Sequence, residues 1–160
     1  MNYVIRRVVE MDNPELSRMI RAVFLEHDAP QYGTVYSDPT TDDLFRLFQQ
    51  PRSALWVAGV DGKAKGCCGI YPTPGLPENY VELVKYYLAK DARGIGIGQK
   101  LMEKCVDCAR FFGYSHLYLE SLPHFSKAIS IYEKQGFKML EHPLGNSGHP
   151  TCNIWMVKEL

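Results

Sequence analysis

Apolar positions recur at two different periods along this chain, and the switches between them mark out its elements. "YVIRRVV" (3–9) reads as a strand, and Asn13, Pro14 and Glu15 then open a helix that carries Leu16, Met19, Ile20, Val23 and Phe24 on one face. Residues 28–39, "DAPQYGTVYSDP", hold one glycine and two prolines without any period, so they read as a loop. Thr41, Asp42 and Asp43 predict the start of a second, short helix that stops before Pro51. "ALWVAGV" and "AKGCCGIY" flank Asp61-Gly62, a dipeptide suited to the positive φ of a tight hairpin, and "YVELVKYYLA" (80–89) follows as a third strand. Leu101, Cys105, Cys108 or Ala109, and Phe112 then recur at helical spacing up to Gly113. After it come a strand ("HLYLES"), a helix closed by Gly136 ("FSKAISIYEKQ") and two final strands, "FKML" and "NIWMVKEL", around a loop rich in proline and glycine. The predicted order is β-α-α-β-β-β-α-β-α-β-β.

Length and composition narrow what this order can be. A chain of 160 residues suits one domain, 1–160, and hides roughly 70% of its unfolded surface on folding. Eighteen basic and eighteen acidic side chains cancel, with no block of one sign, which leaves no electrostatic footprint for nucleic acid or an anionic membrane. A small-molecule partner fits better, to a monomer or a homodimer. Five cysteines, an odd number, and an N-terminus that reaches acidic residues before any long apolar stretch predict a reduced, cytoplasmic protein. No run approaches the ~18 apolar residues that a membrane span needs.

The stretch with the sharpest chemistry is "DARGIGIGQKLMEKC" (91–105), where three glycines alternate between a strand and a helix. A dinucleotide fingerprint needs a glycine where the chain has Gln99 or Leu101, and a P-loop needs Gly-Lys-Ser/Thr where it has Gln99-Lys100-Leu101. Both fail. What remains is Arg-x-x-Gly-x-Gly (Arg93, Gly96, Gly98) at a helix start, where unpaired N–H groups and the positive end of the helix dipole make an anion site, most simply for a pyrophosphate. Side chains at Gly94, Gly96 and Gly98 would obstruct a diphosphate. The competing reading is a tight turn and nothing more.

"ELVKYYLAKDARGIGIGQKLM" resembles motif A of the GNAT superfamily of N-acetyltransferases, and "AISIYEKQGFKML", with Tyr132, Gly136 and Phe137, resembles its motif B. The resemblance implies a GNAT-like α/β (α+β) fold: a mixed, largely antiparallel twisted sheet of about seven strands flanked by about four helices. It implies acetyl-CoA, or another acyl-CoA, as cofactor. The loop Arg93, Gly94, Ile95, Gly96, Ile97, Gly98 and Gln99 would then cradle the pyrophosphate, while the strand through Tyr86, Tyr87 and Leu88 splays from its neighbour and pairs its backbone with the pantetheine arm. Many relatives place an asparagine seven residues before the motif B tyrosine. Phe125 stands there in this chain, which leaves the replacement for that contact open, and Ser126 beside it is a candidate cofactor-binding residue.

Acetyl transfer to an amine needs the neutral amine, and deprotonating an amine of pKa ~10.4 at pH 7 costs about 4.6 kcal/mol. A carboxylate near the thioester would supply the base. Glu82 lies on the motif A strand, where family members that use a glutamate base carry it, and regular alternation puts it on one face with Val84, Tyr86 and Leu88. Since a free glutamate at ~4.3 is a weak base, Glu82 needs a raised pKa or a relaying water; the alternative is a solvent-facing carboxylate, or one paired with Lys85 or Lys65. Tyr132, at the motif B tyrosine position, would donate to the leaving thiolate, the alternative being a core tyrosine.

Less specific candidates remain. Cys105-x-x-Cys108 lies within a helix and reads as small packed positions in preference to a redox or metal pair. Lys100 and Lys104 either reach the cofactor phosphates or are solvated. Tyr32, Tyr36 and Asp28 in the first long loop, with His149 and Cys152 in the last, are candidates to line the acceptor pocket. The expected activity is direct transfer of an acetyl group to a primary amine of a small molecule in a ternary complex. Its rivals are a non-catalytic acyl-CoA-binding module and a protein or peptide N-acetyltransferase.

Overall fold

The computed structural model describes residues 2–160. Its strands are β1 (Tyr3–Arg7), β2 (Ala54–Val60), β3 (Lys63–Tyr71), β4 (Tyr80–Leu88), β5 (His116–Ser121), β6 (Lys138–Leu140) and β7 (Ile154–Glu159). The helices are α1 (Asn13–Glu26), α2 (Leu44–Leu47), α3 (Ile97–Phe111) and α4 (Ser126–Lys134), so the element order matches the prediction. The strands form one sheet in the order β1-β2-β3-β4-β5-β7-β6, antiparallel throughout except where β4 runs parallel to β5.

Two apolar layers cover the sheet. Leu16, Ile20, Val23 and Phe24 of α1 pack with Leu44, Phe48, Leu55 and Val57 on one face, while Ile97, Leu101, Met102, Cys105 and Ala109 of α3 pack with Ala58, Ile70, Leu83 and Leu117 on the other. These are the stripes that the 3.6-residue period picks out, and burying each leucine, isoleucine or phenylalanine contributes about 1.5–3 kcal/mol. Cys105 is one of the fully buried positions and Cys108 is half-buried beside it, as expected of packed cysteines.

Two boundaries move, each for a local reason. Strand β1 stops at Arg7 because the Asp12 carboxylate accepts from the Val9 N–H at 2.9 Å and from Arg6 Nη1 and Nη2 at 2.8 and 2.9 Å, which turns the chain into α1. The second helix is a 3₁₀ turn (Pro39–Asp42) followed by a single α-turn, since Asp43 at φ −141°, ψ 66° breaks the run and its side chain caps the Arg46 N–H.

The largest departure is inside β4. Lys85 has a φ of 57°, and the register with β3 pairs Gly69 with Val84 but Cys67 with Tyr87, so Cys68 alone spans Lys85 and Tyr86. This is a β-bulge, and it inverts the alternation beyond it. Glu82 therefore does not share a face with Tyr86 and Leu88, which pack with Val81 and Leu83 on the α3 side. It shares the α1 side with Val84 and Tyr87.

Candidate active site

Strands β4 and β5 pair only at Tyr80–His116, Val81–Leu117 and Glu82–Tyr118. Beyond Glu82 they part, and a cavity of about 540 Å³ fills the gap. Glu82, Tyr86, Tyr87, Leu88, Arg93, Gly94, Gly96, Gly98, Gln99 and Tyr132 all line it, so the strand, the glycine loop and α4 meet at one place.

The loop end of the cavity is built for a close ligand. Gly94 and Gly96 have φ of 79° and 89°, conformations that only glycine adopts cheaply, and no atom lies within 4 Å of where a Cβ would stand on either. Gly98 is glycine for another reason: a Cβ there would sit 2.8 Å from the Tyr86 hydroxyl and 3.0 Å from Leu88 Cδ1, so it lets α3 close on β4. A Cβ on Gly94 or Gly96 would stand in open space, whereas one on Gly98 would meet the side chains of β4. The N–H groups of Ile97, Gly98 and Gln99 open α3 and lack carbonyls of their own in the helix. An open concave backbone with free donors at a helix start suits a pyrophosphate. Ile95 is exposed, whereas the Ile97 side chain is sealed in the core. Arg93 donates to both Glu26 oxygens at 2.6 and 2.9 Å and to the Leu88 carbonyl at 2.8 Å, tying the loop to α1 and β4. Lys104 rests over the Trp56 ring at 5.1 Å, turned from the cavity, and Lys100 pairs with Glu103 at 3.4 Å. Lys127, Lys134 and Gln135 line the cavity, but nothing in a helical lysine spacing distinguishes them from a solvated face.

Glu82 sits at the fork. It is 5% exposed, its Oε1 accepts the Thr73 hydroxyl at 2.6 Å, and neither Lys85 nor Lys65 pairs with it; Lys65 is bound to Asp91 at 2.9 Å. Burial, reinforced by the nearby Glu120 and only partly offset by Thr73, pushes its carboxyl up to about 7. Tyr132 lies 6.0 Å from the Tyr86 ring, ring centre to ring centre, and packs on Phe137; burial raises its phenol, which therefore holds its proton at neutral pH. Ser126 begins α4 but does not line the cavity, whereas Phe125 does, against Phe24 at 5.3 Å.

The acceptor candidates divide. His149 and Cys152 line the cavity, while Tyr32 is 90% exposed, Asp28 lies in the turn after α1, and Tyr36 packs between Phe24 and Arg21 outside it. His149 Nε2 meets the Asp38 carboxylate at 2.7 Å, and burial, with Lys85 nearby, lowers its pKa. Burial pushes the Cys152 thiol up to about 12 and Cys67 likewise, which disfavours a thiolate nucleophile at either. Sequence reasoning missed Thr73, Asp38, Glu120 and the role of Lys85. Asp38 and His149 are 111 positions apart, and Lys85 in a regular strand would point away from Glu82.

Comparison with known proteins agrees with this geometry. The model of the acetyltransferase (GNAT) family matches residues 21–137. An uncharacterized N-acetyltransferase of Escherichia coli K12, YjgM, is 35% identical over 158 residues, covering 98% of this chain and 95% of its own. Among solved structures, a GNAT-family acetyltransferase of Staphylococcus aureus Mu50 superposes with a TM-score of 0.87 at 19% identity over 99% of both chains. The PaiA N-acetyltransferase of Thermoplasma acidophilum, in complex with coenzyme A, superposes with a TM-score of 0.77 at 18% identity over 100% of both.

Proposed function

The chain belongs to the GNAT family of acetyltransferases, an acyl-CoA-dependent class, and from that premise we propose that it moves an acetyl group directly to a primary amine of a small molecule within a ternary complex. The observation that carries this reading is Glu82: a carboxylate sealed at the fork of β4 and β5, raised to about 7, in one cavity with the glycine loop and Tyr132. The free N–H groups opening α3, with Gly94 and Gly96 beside them, would hold the pyrophosphate, and β4 beyond Glu82 has an unpaired edge for the pantetheine amides. Bound acetyl-CoA supplies an activated acetyl group on a thioester.

The protein's own groups then handle two protons. Glu82 takes one from the acceptor ammonium at its free carboxylate oxygen, and a base near 7 is far better matched to that task than an ordinary glutamate. Tyr132, protonated at neutral pH, donates from its hydroxyl to the departing sulfur, whose conjugate thiol has a pKa near ~8.5, and regains a proton from the attacking nitrogen, which becomes the neutral amide as the thiol leaves. Both groups are buried in the cavity wall.

Thiol release from acetyl-CoA, followed over a panel of amines, tests the activity, and Glu82→Gln tests the base. The variant keeps the shape and the Thr73 hydrogen bond, so its KM for acetyl-CoA is expected to hold while kcat falls about 10²–10⁴-fold at pH 7 and recovers towards wild type as the amine deprotonates at high pH. Equal losses at pH 7 and 9.5 would assign Glu82 to positioning. No thiol release with any amine would leave the binding module as the better reading.

A further inference from the structure

Resting on the acetyl-transfer reading, we propose that the acceptor carries a carboxylate as well as its amine, and that the Lys85 ammonium holds that carboxylate: the substrate class is free amino acids and closely related zwitterions. Lys85 is 6% exposed and lines the cavity, yet its Nζ makes no hydrogen bond or ion pair among the described residues. Its Nζ is not sealed away but open to the cavity, with three donors and no protein acceptor, and a cation in so buried a residue is normally paired.

The carboxylates around it are already engaged elsewhere. Asp38 accepts from His149 at 2.7 Å and from the Thr40 N–H and hydroxyl at 2.9 and 2.7 Å. Glu120 accepts the Tyr118 hydroxyl at 2.6 Å and the Ser147 hydroxyl at 2.5 Å. Glu82 accepts Thr73 and lies beyond ion-pair distance of Lys85, although the two interact electrostatically. A proton acceptor (Glu82) and an unpaired cation (Lys85) thus face one cavity from the same strand, three residues apart, brought to one side by the bulge. They match the two ends of a zwitterion, ammonium to Glu82 and carboxylate to Lys85. The neighbouring wall of Phe24, Val35 and Phe125 suits an apolar substituent on the acceptor.

A purely neutralising Lys85 would affect every amine alike, so the test uses matched pairs. Thiol release from acetyl-CoA is measured with phenylalanine against phenylalaninamide and leucine against leucinamide, in wild type and Lys85→Met. The amide's amine is the less basic, so a preference for the free acid cannot come from amine availability. Wild type is expected to favour the free acids in kcat/KM by about 10- to 100-fold, the effect of one hydrogen bond to a charged group. Lys85→Met is expected to bring the acid-to-amide ratio of kcat/KM close to one, with the KM for acetyl-CoA changing less than about threefold. Equal use of acid and amide by wild type, or an equal loss for both in Lys85→Met, would overturn the assignment. So would turnover confined to polyamines or aminoglycosides, although acetyl transfer would then stand. Silence with every amine would remove acetyl transfer and this inference together.

Discussion

Glu82→Gln carries a second consequence that needs no substrate. The Glu82 carboxyl ionises near 4.5 in the unfolded chain and near about 7 in the folded one, because burial penalises its charge. Below 4.5 both states are protonated and the group is neutral to stability. Between 4.5 and 7 the unfolded chain gives up its proton first, so stability falls as pH rises; above 7 both states are ionised and the loss is complete. A shift of that size, at about 1.4 kcal/mol per unit, is worth about 3 kcal/mol. Glutamine has the same shape, accepts the same Thr73 hydroxyl and does not titrate, so the variant escapes the loss. Urea unfolding of both proteins from pH 4.5 to 8, without ligand, should show the variant gaining on wild type by about 3 kcal/mol across the window. In thermal melts the same gain appears as roughly 6–12 °C in Tm. Taking the difference between the two proteins cancels the other carboxylates, whose pairing with Arg6, Arg21 and Arg93 is common to both. Parallel curves over the whole range would refute the raised pKa, and with it the reason for regarding Glu82 as a base suited to neutral pH.

Two further outcomes follow from the site. Tyr132→Phe removes one hydroxyl from a ring whose packing on Tyr86 and Phe137 stays intact, so steady-state kinetics should show turnover falling roughly 10- to 1,000-fold with little change in KM for acetyl-CoA; full activity would return Tyr132 to the core. Gly96→Ala and Gly98→Ala should fail differently: the first strains the backbone by about 1–2 kcal/mol, lowers Tm by a few degrees and weakens CoA binding in calorimetry with Tyr86 undisturbed, while the second drives a methyl into the Tyr86 hydroxyl and displaces that ring, which tyrosine fluorescence or NMR of Tyr86 reads; an undisturbed Tyr86 in Gly98→Ala would contradict the separate roles assigned to them.

The parts of this molecule that were legible from sequence are those whose cause is local. A 3.6-residue stripe such as Leu16, Ile20, Val23 and Phe24 has to find an apolar layer, Asp61-Gly62 with φ of 51° and 79° is a turn wherever it occurs, and the alternating glycines before α3 announce a backbone that must stay open. Glu82 is proposed from its place on the motif A strand, where family members that use a glutamate base carry it. The contacts that decide its chemistry are not local. Thr73 reaches it across a hairpin from nine residues away, Glu120 comes from the parallel neighbour, and Asp38 meets His149 across most of the chain; neither the helical nor the strand period links any of these pairs.

Lys85 shows why even a local rule can mislead at a functional site. Counting by twos along Tyr80–Leu88 assumes a regular ladder, and a lysine gives no sign that it will adopt a φ of 57°, which carries a cost that only the surrounding sheet can impose. Two consequences have the same origin. The bulge sits just past Glu82, where β4 leaves β5 and the cavity begins, and it turns Tyr86 and Leu88 towards α3, where the missing side chain of Gly98 makes room for them. It also brings the Lys85 ammonium to the side of Glu82. A regular strand would satisfy the sequence pattern equally well, but it would place Glu82 and Lys85 on opposite faces of the sheet, and one cavity would no longer offer both a base for an amine and a cation for its carboxylate.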